Sequence, residues 1–158
     1  MTARAARPDC VEAHSNSGVT LHELGRFEEA LTSYDQALML RPEYAEAFYN
    51  RGIALHELRR FEEALASYDH ALALRPGYAE ALYNRGNALN SLKRFEETLE
   101  SYDRTLMLRP EYAEALSRRG STLHELGRFE EALASYDRAL AVQIVPWRSC
   151  IAALPFMN

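Results

Sequence analysis

Cysteine is nearly absent from this sequence. Cys10 and Cys150 stand near opposite ends of 158 residues; they form no C-x-x-C pair and no disulfide framework, and so read as free thiols of a reducing compartment. Apolar runs of membrane-spanning length are missing as well. The tail "IVPWRSCIAALPFM" is short and is interrupted by Pro146, Arg148 and Pro155, and the N-terminal "MTARAARPDC" has no stretch resembling a signal peptide. The expected location is therefore cytoplasmic, with no membrane partner. An excess of positive charge is the third absence: 18 Lys and Arg face 23 Asp and Glu, for a net charge of -5. The basic residues are spread among acidic ones, which leaves no stripe able to displace counterions from a nucleic acid. No Gly-rich phosphate loop is present.

What the chain has in quantity is repetition. Pro8, Pro42, Pro76 and Pro110 recur every 34 residues, as do Gly18, Gly52, Gly86 and Gly120, and Phe27, Phe61, Phe95 and Phe129. A fixed period of this size means stacked supersecondary units. The units run over 11–44, 45–78, 79–112 and 113–142, after a remnant of a preceding repeat at 1–10 and before an atypical apolar tail at 143–158.

Each unit predicts two helices. Phe48, Gly52 and Leu55 share one stripe at i, i+4, i+7, and Phe61, Ala64, Leu65, Tyr68, Ala71 and Leu72 form a second amphipathic run. Glu62 and Glu63 suit the positive end of that second helix and Arg75 its negative end, and Pro76 stops it. Turns are expected near Gly25, Arg59, Lys93 and Gly127. Glycine inside a helix costs about 1 kcal/mol relative to alanine, so four copies at one helical position predict close helix contact, with Ala30, Ala64 and Ala132 opposite. Thr98 and Thr105 replace alanines in the third unit, which is expected to pack less well.

Gly52, Leu55, Ala64, Tyr68, Ala71 and Pro76, repeated along 11–142, resemble the tetratricopeptide repeat pattern. The resemblance implies an all-α solenoid of stacked antiparallel helix hairpins wound into a right-handed superhelix. The wording is also similar to bacterial arrays ahead of O-linked N-acetylglucosamine transferase-like enzymes. Phe48, Leu82, Leu116 and His14 depart from the family's tryptophan, and Ile144 stands where the terminal proline of the fourth unit would be.

Taking the first residue of each unit as position one, positions two, six, nine and thirteen lie opposite the packed positions four, eight and eleven. The resemblance implies that they line a concave groove. Position two is Glu12, Glu46, Glu80 and Glu114; position six is Asn16, Asn50, Asn84 and Arg118; position nine is Val19, Ile53, Asn87 and Ser121. Tyr49 and Tyr83 flank them at position five. An Asn amide both donates and accepts, so a column of them suits the backbone of an extended peptide. This column resembles the asparagine ladder of the glycosyltransferase arrays.

The His-Glu pairs at His22, His56 and His124 lack the second histidine of a zinc helix. Serine, histidine and aspartate recur at fixed repeat positions on amphipathic helices, where a solvated or capping role outweighs a catalytic triad. No catalytic residue, metal site or cofactor is expected. The sequence thus predicts a scaffold that binds an extended, basic protein or peptide segment; the alternatives are an adaptor fragment of a glycosyltransferase-like enzyme and a module that self-associates through its ends. The carboxylate clamp of heat-shock co-chaperones is disfavoured. Asn84 and Arg118 fit it, but Glu114 stands where lysine is required.

Overall fold

The computed structural model describes residues 8–151, with side chains from 10 to 144. Eight helices follow one another: α1 (Pro8–Glu23), α2 (Phe27–Leu40), α3 (Ala45–Glu57), α4 (Phe61–Leu74), α5 (Ala79–Ser91), α6 (Phe95–Leu108), α7 (Ala113–Glu125) and α8 (Phe129–Ile151). There is no strand among the described residues. Consecutive helices pair into four hairpins, and the second helix of each hairpin packs on the first helix of the next. The result is the predicted solenoid.

The turns sit where expected, and they share one geometry. Gly25, Arg59, Lys93 and Gly127 all adopt left-handed backbone conformations, with φ of 73°, 60°, 61° and 72°. At Arg59 the N–H donates to the His56 carbonyl, and the Arg60 N–H reaches back to Leu55, which closes the last turn of α3 as a Schellman motif does. Glycine adopts this conformation freely, whereas another L-residue there costs about 1–2 kcal/mol. A cation at a helix C-terminus returns only about 0.3–1 kcal/mol.

The internal glycines meet tyrosine rings, not the alanines expected from the sequence. A Cβ built on Gly86 would lie 2.5 Å from Cε1 of Tyr102, and one on Gly52 would lie 2.6 Å from the same atom of Tyr68. Gly18 and Gly120 meet Tyr34 and Tyr136 in the same way. The tyrosine ring lies over the bare glycine backbone and fills the space between the two helices of a unit. Ala30, Ala64 and Ala132 are buried nearby in the core. Thr98 and Thr105 are fully buried, and each hydroxyl donates to a carbonyl one turn back, at Arg94 and Ser101. Their polar atoms are satisfied, yet α5 and α6 pack less closely than the two helices of any other hairpin, as the bulkier threonines predict.

The two ends differ from the internal repeats. α1 begins at Pro8, three residues ahead of the unit's first residue. Proline suits the first helical position, and Cys10 replaces the tyrosine that sits at the N-cap in Tyr44, Tyr78 and Tyr112. Of the remnant expected at 1–10, residues 1–7 lie outside the described residues and 8–10 belong to α1. α8 runs on to Ile151 instead of ending near Val142. The second helices α2, α4 and α6 end before Pro42, Pro76 and Pro110, and Ile144 supplies no such stop. The tail from 152 onward, and any role for it, lies outside the described residues.

Candidate functional site

The first helices lie on the inner side of the stack. α1 touches α3, and α3 touches α5, whereas no two second helices pack as closely. A stack whose first helices are nearer together than its second helices curves toward the first. Positions two, six and nine lie on these first helices.

The asparagines are not equivalent. Asn16 is exposed and Asn50 half-buried, and neither makes a side-chain hydrogen bond among the described residues. Asn84 is engaged: its Nδ2 donates to the Tyr49 hydroxyl at 3.1 Å, and its Oδ1 accepts from Asn87 Nδ2 at 3.4 Å. The Tyr102 hydroxyl in turn donates to Asn87 Oδ1 at 2.7 Å. A relay from Tyr102 through Asn87 and Asn84 to Tyr49 thus joins the second and third hairpins. One donor and one acceptor of Asn84 remain free. Arg118, at the fourth rung, is exposed and forms no ion pair among the described residues.

The flanking residues serve packing as much as they line the surface. Tyr49 packs at a tilt on Tyr78, with ring centroids 4.8 Å apart, and Tyr83 does so on Tyr112 at 5.0 Å, each pair bridging successive hairpins. Ile53 is half-buried against the core. Burial raises the Tyr49 hydroxyl pKa, with Glu80 and Tyr112 adding to the rise and the Asn84 bond opposing it. Burial also pushes Tyr34 up to about 12. These hydroxyls stay protonated and act as hydrogen-bond groups.

The glutamate column is partly neutralised. Glu46 pairs with Arg75 at 3.4 Å, and Glu80 pairs with Arg109. Glu114 lacks the equivalent partner because Gln143 replaces the arginine. At three junctions the structure also shows a clasp that the sequence reading missed. Arg51 donates from Nε to Asp35 of the preceding hairpin and from Nη1 to the buried Ser67 hydroxyl, both at 2.7 Å. Arg85 does the same to Asp69 and Ser101, and Arg119 to Asp103 and Ser135. The signal was present, since each Arg follows its Asp and precedes its Ser by the same 16-residue spacing. None of these groups forms a metal-binding cluster among the described residues. No helix among them is long and apolar enough to cross a membrane.

The comparisons with known proteins agree with this architecture. A family model described as a tetratricopeptide repeat matches residues 74–144, another matches 45–78, and a TPR repeat model matches 18–59. No curated protein matches the sequence. A crystal structure of MamA is 26% identical over 90% of this chain and 84% of that one, with a TM-score of 0.86. The first TPR of Spaghetti (RPAP3), bound to the HSP90 peptide SRMEEVD, is 25% identical over 79% of this chain and 99% of that one, with a TM-score of 0.76. MamA 41-end from Desulfovibrio magneticus RS-1 is 24% identical, covers 84% of this chain and 75% of that one, and at a TM-score of 0.80 shares the fold. With four like hairpins, tyrosine over glycine in each, and repeat models matching from residue 18 to 144, the chain belongs to the tetratricopeptide repeat family.

Proposed function

We propose that this protein is a non-catalytic interaction scaffold that binds an extended segment of a partner protein along the side lined by α1, α3, α5 and α7. The observation that carries the reading is the pair of uncommitted amides at Asn16 and Asn50, one repeat apart on the inner row. Neighbouring helices stand about 8–10 Å apart, and an extended peptide advances about 3.3 Å per residue. One rung therefore meets about every third residue and holds the peptide by its backbone.

The Spaghetti domain gives support, because a stack of this fold there holds a peptide. That peptide is acidic. Here Glu12, Glu46, Glu80 and Glu114 occupy position two, and Glu12 and Glu114 form no ion pair among the described residues, so the segment this chain takes is basic. Three rungs, each donating one and accepting one hydrogen bond at about 0.5–1.5 kcal/mol net per bond, give about 3–9 kcal/mol before the cost of ordering the peptide, which places the affinity between micromolar and millimolar. The test is a titration of basic and acidic extended peptides into the wild type and an Asn16→Ala, Asn50→Ala, Asn84→Ala variant. The expected result is weak binding of the basic peptide, reduced in the variant. Equal binding to both proteins removes the ladder, and preference for the acidic peptide reverses the charge assignment. An adaptor role beside a glycosyltransferase-like enzyme rests on the wording of the repeats alone.

One observation favours self-association as a second reading. Leu133 is 60% exposed and Leu140 55%, whereas their equivalents Leu99 and Leu106 are 7% and 8% exposed beneath the next hairpin. Among the described residues, the outer face of α8 is that of an internal repeat without a neighbour. Light scattering across a concentration series separates an end-to-end assembly from a monomer.

A further inference from the structure

The hairpin turns of the two central repeats hold a feature that the peptide reading does not use. The four turns have the same left-handed backbone, yet only the outer two carry glycine; the central two carry Arg59 and Lys93. At those two positions the backbone cost exceeds what a cation at a helix end returns. The two side chains also line one cleft, of about 530 Å³, together with His56, Glu57, Phe61 and Ser91.

Both cations are available there. Arg59 and Lys93 are exposed, and neither has a carboxylate partner within ion-pair distance among the described residues. Their neighbours Arg60 and Arg94 are each held in a two-pronged pair, with Glu63 and Glu97. Instead of an anion, Arg59 lies 5.7 Å from the Phe61 ring and Lys93 lies 5.8 Å from Phe95. The cleft is thus a pair of unneutralised cations over an aromatic edge, in a protein whose net charge is -5.

We propose that this cleft, at the turn end of the first helices where Glu57 and Ser91 hold position thirteen, is a second binding site, distinct from the asparagine rungs, for an acidic peptide segment with two carboxylates about three residues apart. The spacing follows from the stack. Neighbouring repeats set the two cations roughly 10 Å apart, which three extended residues span at about 3.3 Å each. A polyanion such as a nucleic acid is disfavoured, because Glu57 lines the same cleft and the chain as a whole carries a net charge of -5. A short segment with two acids meets the cations without crossing that field.

The test uses a fluorescent peptide with two glutamates separated by two glycines, followed by anisotropy. The proteins are the whole chain, the double variant Arg59→Gly with Lys93→Gly, and Arg59→Lys. Glycine relieves the left-handed positions, so the double variant unfolds at the same or a higher temperature while its affinity for the peptide falls about tenfold. Arg59→Lys keeps most of the binding. If the glycine variant folds poorly, Arg59→Asn with Lys93→Asn removes the charges while tolerating the same backbone. Equal affinity of the wild type and the charge-free variant overturns the proposal. So does inorganic phosphate that displaces the peptide at matched concentration, which marks a general anion site. The groove reading is untouched by either result, since its asparagine rungs and its basic peptide differ.

Discussion

At the residue scale, the recurring glycine is defined by what covers it. A methyl group at Gly86 would overlap Tyr102 at 2.5 Å, and Tyr102 is fully buried, with its hydroxyl bonded to Asn87. The ring has nowhere to retreat. Gly86→Val is expected to destabilise by about 3 kcal/mol through overpacking, and urea unfolding reads this as a lower midpoint. The turn residues predict the opposite sign. Arg59→Gly and Lys93→Gly each exchange a strained left-handed residue for one that adopts it freely, against the greater freedom glycine gives the unfolded chain. The net gain is up to about 1 kcal/mol each, read from the same denaturation curves. Both glycine classes were legible in the sequence from period alone. The identity of the covering ring was not, because helix periodicity gives a face but not which of two neighbours on it, Ala64 or Tyr68, reaches across.

At the scale of elements, hairpins hold to one another through the arginine clasps. The Arg85 side chain is 18% exposed, and its partner Ser101 is fully buried. Arg85→Ala leaves that hydroxyl without its charged partner and is expected to cost about 2 kcal/mol. Asp69→Ala, at the half-exposed end, is expected to cost under about 1 kcal/mol. Hydrogen exchange should show the Arg85 variant loosening the junction of α4 and α5 before the rest of the array. The turns add a pH response. Burial holds the His56 imidazole below its ordinary 6.5, with Glu57 opposing, and its ring packs edge-on to Phe61 at 5.1 Å. The unfolded chain therefore takes up the proton first as pH falls. Stability is full above about 6.5 and is lost as pH falls through the depressed folded value. Asn90 holds this place in the third repeat, so His56→Asn is expected to flatten the fall in unfolding temperature between pH 7 and pH 5. The lowered Glu29, Glu63, Glu97 and Glu131 carboxylates act in a later window, below about 4.5.

At the scale of the whole molecule, the period predicts the number of hairpins, the order of packing and the positions of the turns. It does not predict which rungs are free. Asn16, Asn50 and Asn84 are the same letter at the same position, yet Asn84 is drawn into a relay because Asn87 replaces Ile53 and Tyr49 stands across the junction. Differences between copies, not the shared letters, decide the surface. The length of α8 has the same origin, in the exchange of a proline for Ile144. The central claim is that the inner row, with Asn16 and Asn50 foremost, is where a partner's extended segment lies. Side-chain amide resonances test it most directly, by NMR titration of a basic extended peptide into the labelled chain. The account predicts shifts of the Asn16 and Asn50 amides, smaller ones at Asn84, and none at the exposed Met39 and Met107 on the second helices. Shifts confined to Met39 and Met107, with the asparagines silent, would contradict it.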